Sequence, residues 1–240
     1  VLIVIGTVMV LNLAGSTGWR GWGGQVLFHA FVIFYGAGAL FHRAPESLYD
    51  LNGQLSLERS VVAPGPLDGT GRFSQPPYVA SLLEPVTGLS LPIALIVWTA
   101  LSCASLALAA WLAVRLVRRA PWSSAVPTRT YVVIALSLAP VLFGLYSGQM
   151  HSFLLLGVLA VVVFVLDGKS WQAGAIVGLL AVKPQMALSF LILFLARRDF
   201  KALLAAGLVF GGLNAVLVSR VGFETAVSLY TAYVDTTHAL

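Results

Sequence analysis

The run from Leu91 to Leu116 carries no charge before Arg115. A helix rising about 1.5 Å per residue crosses a hydrocarbon core of about 30 Å with roughly 20 residues, so this run is long enough to span a bilayer with tilt. Other apolar runs repeat the theme. Tyr131 to Tyr146 and Ser152 to Leu166 form a pair joined by a short turn, Ser147-Gly148-Gln149-Met150-His151. Ala202 to Ser219 is a further span, Val1 to Ala14 a short or truncated one, and Gln172 to Ala196 a last apolar piece. Only 10% of the residues are charged, against about 25% in an ordinary soluble domain, and 59% are hydrophobic. The expectation is an all-α polytopic membrane protein, residues 1–240 forming one transmembrane body rather than several soluble domains.

The net charge of +5 does not point to nucleic acid. Arg115, Arg118, Arg119, Arg197, Arg198 and Lys201 flank apolar runs, which is the pattern of cytoplasmic anchors. Cys103 is the single cysteine and lies in an apolar run, so no disulfide framework is expected. His29, His42, His151 and His238 are scattered without metal-ligand spacing, and neither metal nor cofactor is expected. The first residues, VLIVIGTVMVLNLAG, read as part of a longer protein.

Alternating spans put Arg115 to Arg119, Arg129, Lys169 and Arg197 to Lys201 on one side, the cytoplasm. Residues 16–90, the Gly148 turn and everything after Arg220 then lie outside. The piece from Gln172 to Ala196 has cytoplasmic charge at both ends and must enter and return. Lys183-Pro184 becomes the tip of a broken helix near the bilayer midplane, tolerable where buried in protein or lining a wet cavity. One span kinked at Pro184 is the alternative. A lysine at such depth costs about 2.5–3.5 kcal/mol on insertion scales and marks a functional site by default.

The long external segment mixes charges of both signs. Val26 to Leu40 reads as an interfacial helix or one plunging part-way, and Asp50 to Val61 as a short helix. Ala63 to Gly71 is loop by its Pro and Gly content. Phe73-Ser74-Gln75-Pro76-Pro77-Tyr78 is extended before the apolar turn from Tyr78 to Leu83, and Glu84-Pro85 follows. Glu84 reads as a solvated loop charge.

Three elements stand in order: Phe34-Tyr35 with Leu48-Tyr49-Asp50, then "FSQPPY" with Pro85, then Gly148-Gln149 with Lys183-Pro184. Over nearly the whole chain this progression resembles glycosyltransferase family 87, the mannosyltransferases of GT-C architecture that use a polyprenyl-phosphate sugar. The resemblance implies a GT-C-like helix bundle with a long external first loop carrying interfacial helices. It implies a hexosyltransferase of the bacterial plasma membrane, active face outside. It would move a mannose-like sugar from a polyprenyl-phosphate donor to a lipid or glycan acceptor, with membrane lipids around it and no nucleic acid. Members of the family are typically longer.

Transfer needs a base for the acceptor hydroxyl and a place for the departing phosphate. The family pattern D-F-x-x-F-Y supplies an aspartate, and the matching residues here are Ala30-Phe31-Val32-Ile33-Phe34-Tyr35, with Ala30 at that place. His29 and Asp50 are the substitute bases, against plainer readings as an interfacial polar residue and a helix cap. Lys183, Gln149 and His151 form the phosphate-side set, with Arg43, Arg72, Tyr35 and Tyr78 as further substrate-binding residues. Lys183 could instead only order the helix break, and Gln149 only the turn. A transporter or flippase with its site at the broken helix, or an inactive member of the family, are the competing readings.

Overall fold

The computed structural model describes residues 27–62, 71–119, 130 and 139–238. Among them the regular elements are all helical: α1 (His29–Arg43), α2 (Leu51–Val62), α3 (Pro77–Leu83), α4 (Leu91–Val117), α5 (Ala139–Ser147), α6 (His151–Leu166), α7 (Ser170–Leu180), α8 (Pro184–Ala196), α9 (Phe200–Val221) and α10 (Phe223–His238). Short 3₁₀ turns cover Pro45–Ser47 and Glu84–Gly88. Among the described residues two helices, α4 and α9, are long and apolar enough to cross a membrane, and α6, α7 and α8 are shorter apolar helices. The expected spans Val1 to Ala14 and the first half of Tyr131 to Tyr146 lie outside the described residues, as do Arg129 and most of the Ala63 to Gly71 loop.

The closest approaches between helices fix the path of the chain. A Cβ on Gly174 would run into the backbone of Ala202, and one on Gly178 would come within 2.8 Å of the Ala206 carbonyl and 2.7 Å of Val209. Small residues four apart on α7 thus seat against Ala202 and Ala206 on α9, the small-xxx-small packing by which apolar helices approach closely. The order of these contacts makes α7 and α9 parallel, both starting at one end. α8 must therefore return from the Lys183 turn to that same end. Antiparallel α6 agrees, since a Cβ on Gly157 would lie 2.7 Å from Leu180. The expected hairpin, rather than one kinked span, is the fold of this stretch.

The shared end is basic. Asp167, in the turn after α6, accepts from Arg119 (2.7 Å) and Arg115 (3.2 Å) at the end of α4. The Arg119 hydrogen bond, above all, holds its carboxyl below the usual carboxylate range. Asp199 caps α9 by accepting from the Ala202 N–H at 3.2 Å. At the opposite end Arg220 of α9 reaches Glu84, and Gly222, with φ 81, turns the chain into α10. α10 folds back along α9, where the Tyr230 hydroxyl donates to Asn214 Oδ1 at 2.5 Å.

Two readings of the outer segment, the interfacial one for α1 and the solvated one for Glu84, need correction. α1 does not lie on a surface: ten of its fifteen residues are buried, Phe31, Val32 and Phe34 among them. It is apolar almost all round, so burial satisfies it better than an interface does. Glu84 is not a solvated charge, because its carboxylate binds both His42 Nδ1 (2.9 Å) and Arg220 Nη1 (2.7 Å). The residues after Arg220 form a packed helix, with Ala226 and Leu229 buried.

Candidate functional site

Pro184 shapes the break between α7 and α8. A proline disfavours helical backbone in the residue before it, and Lys183 sits at φ −121 and ψ 90. Proline itself suits the first turn of α8, where an N–H would have no helical partner. The lysine side chain does not snorkel away. With its amide turned to satisfy both neighbours, Gln75 donates to the Val182 carbonyl (2.9 Å) and accepts from Lys183 Nζ (3.1 Å). Gln75 is buried, and its own carbonyl accepts from the Tyr49 hydroxyl at 2.6 Å. "LYD", "FSQPPY" and "KP" thus meet in one chain of contacts.

The second break lies between α5 and α6. Gly148, with φ 73, comes so close to α1 that a Cβ there would be 2.6 Å from Phe31 Cβ. Only glycine combines that backbone with that approach. The carbonyl of Gly148 accepts from Trp98 Nε1 at 3.0 Å. Phe31 and Phe34 flank the Trp98 indole at 5.4 and 5.8 Å, and Phe153 packs edge-on at 5.2 Å. Such pairs add about 0.5–1.5 kcal/mol each beyond their burial. Trp98, part of the buried core, therefore also pins the turn to α4.

An apolar groove of about 810 Å³ runs from this level along α7, α8, α9 and α10. Pro76 and Pro184, the neighbours of Gln75 and Lys183, stand at its head, with Tyr230 and Tyr233 along one wall. Tyr233 also packs on Tyr49 at 5.9 Å. The groove lies beside Phe210, about 15 Å along α9 from Phe200. The site is thus recessed by a similar depth from the end where Arg220 lies.

The remaining sequence candidates divide. His151 opens α6 at the same level, within electrostatic reach of Lys183. Gln149 is half-buried in the turn, its N–H donating to the Gly144 carbonyl at 2.8 Å. Tyr78 is buried edge-on against Phe210, its hydroxyl without a hydrogen-bond partner. His29 is exposed at the start of α1, two residues from the Phe31–Gly148 contact. Ala30 is buried at 2% exposure. Asp50 caps α2, its Oδ2 accepting from the Gly53 N–H at 2.8 Å. Arg72 is exposed. Tyr35 and Arg43 belong to a separate cleft near Arg220.

Gln75, Tyr49, Tyr230, Tyr233 and Trp98 were not among the candidates. Gln75 stood inside the quoted "FSQPPY", so that motif held the signal. The α10 tyrosines carried none, being placed by a helix that the hydropathy pattern does not announce.

No curated protein and no solved structure matches the chain. The family model for glycosyltransferase family 87 matches residues 73–240, which takes in FSQPPY, the Gly148 turn and the Lys183 hairpin and leaves α1 outside. With well over half its length so matched, the chain belongs to glycosyltransferase family 87.

Proposed function

We propose that this membrane glycosyltransferase moves a mannose-like hexose from a polyprenyl-phosphate donor to a lipid or glycan acceptor. The reaction takes place on the outer face of a bacterial plasma membrane. The observation that carries this reading is Lys183, held by Gln75, where the chain neighbours of both residues, Pro184 and Pro76, line an apolar groove. A cation beside an apolar groove suits a phosphate carrying an isoprenoid chain.

The acceptor oxygen attacks the anomeric carbon, and the bond from that carbon to the phosphate oxygen breaks. The electron pair leaves with the phosphate, where the Lys183 ammonium balances the added charge. His29 takes the acceptor proton; it is exposed near the Gly148 turn, whereas Asp50 is engaged in capping α2. The groove holds the lipid chain.

Purified protein in nanodiscs, given polyprenyl-phosphate mannose and a membrane acceptor fraction, should release polyprenyl phosphate and label the acceptor. Transfer from a nucleotide sugar in place of the lipid donor contradicts the proposal. Ala30 at the aspartate place favours a second reading, a member that binds the donor without transferring. That reading predicts donor binding with no transfer, and transfer gained by Ala30→Asp.

A further inference from the structure

A second cleft, of about 580 Å³, opens where α9 ends. His42, Arg43, Glu84 and Arg220 bring charge-bearing groups to walls that they share with apolar residues such as Leu57 and Val61, so the cleft is mixed where the groove is apolar. Arg220 lies ten residues along α9 from Phe210, about 15 Å at helical rise, which separates this cleft from the Lys183 site. Three basic side chains converge on it from two helices, His42 and Arg43 from the last turn of α1 and Arg220 from the last turn of α9. Both helices end there; their C-terminal carbonyls seat the basic side chains and oppose an anion, so the arginines have to outweigh them. A single carboxylate, Glu84, sits between His42 Nδ1 (2.9 Å) and Arg220 Nη1 (2.7 Å). Arg43 makes no ion pair with any described residue, so among the described residues lining the cleft two arginines face one acid.

We propose that this cleft is an anion site for a phosphate-class group, with Glu84 as the built-in competitor that occupies it when the anion is absent. Arginine guanidinium groups bind phosphate through two parallel hydrogen bonds, and a carboxylate presents the same two-oxygen edge. An arriving phosphate displaces Glu84 from Arg220 and adds Arg43, while Tyr35, whose hydroxyl is held by the Leu89 carbonyl at 2.9 Å, keeps the wall in place. The cleft lies at the ends of the apolar helices, so the phosphate can come from a lipid headgroup or from solution. The site goes beyond the transfer reaction and does not depend on it.

The test uses the full chain in nanodiscs and native mass spectrometry to count retained phosphatidylglycerol against phosphatidylcholine. A parallel arm titrates inorganic phosphate by calorimetry. Glu84→Gln should raise anion retention about tenfold, and Arg43→Gln, which breaks no ion pair among the described residues, should lower it by a similar factor. The same ordering with inorganic phosphate assigns the source as free phosphate; ordering with phosphatidylglycerol alone assigns it as a lipid headgroup. Either outcome supports the site. Equal retention by parent, Glu84→Gln and Arg43→Gln in both arms overturns it, provided all three melt at similar temperatures.

Discussion

Gln75 is buried, and both ends of its amide are committed, one to the Val182 carbonyl and one to the Lys183 ammonium. Replacing it by leucine takes that partner from two half-buried groups, at a cost of about 1 kcal/mol. Gln75→Leu should therefore lower both melting temperature and donor binding, whereas Asp50→Ala should cost only a cap, about 1 kcal/mol, and leave transfer intact. A large loss of transfer in Asp50→Ala at unchanged folding would return the base role to that residue. Glu58 provides a pH probe in the outer segment. It is 4% exposed, and burial pushes its carboxyl up to about 7. The folded chain then holds this proton more tightly than the unfolded chain, so stability is greatest below the ordinary carboxyl range and falls as pH rises toward 7. Glu58→Gln should flatten that fall, raising the melting temperature at pH 8 by several degrees and leaving it nearly unchanged at pH 4. A parallel shift at both pH values would refute the assignment.

At the scale of helices, the hairpin rests on two glycines. Gly174 has no room for any side chain against Ala202, and Gly178 has little against Ala206 and Val209. Forcing extra atoms into a well-packed contact costs about 1–3 kcal/mol. Gly174→Val should separate α7 from α9 and reduce folded yield, whereas Gly207→Ala, which meets nothing within 4 Å, should be neutral. Equal yields would mean that the two helices do not pack as described. The sequence announced the hairpin through its pattern of charges, because basic residues flank both ends of a piece too short to cross twice. It did not announce the burial of α1 or the path of α10. A buried apolar helix and an interfacial one share composition, and α10 mixes Tyr, Thr and Glu with its apolar residues. Ion pairs were equally hidden, since Glu84 meets partners 42 and 136 residues away.

For the whole molecule, the sequence conveyed membrane character and family through long runs and ordered short motifs. The meeting of those motifs is a tertiary fact. Tyr49, Gln75 and Lys183 come from three separated segments, and only the return of α7 on α8 lifts the lysine to the level of the FSQPPY element. The path also sets a topology. With Cys103 replaced by serine, single cysteines at Lys169 and Arg198 should react with an impermeant thiol reagent from the same side of the membrane, and one at Glu224 from the other. Labelling of positions 169 and 198 from opposite sides would replace the hairpin by a single crossing.

The central claim is that Lys183 carries the leaving phosphate, and it is measured most directly by the rate of sugar transfer in Lys183 variants at saturating polyprenyl-phosphate sugar. Removing a positioned charge-stabilising donor typically lowers turnover by about 10²–10³-fold. Lys183→Ala should fall in that range and Lys183→Arg should retain part of the rate, with melting temperatures near the parent. A Lys183→Ala protein that folds and transfers sugar at the parental rate would contradict the account.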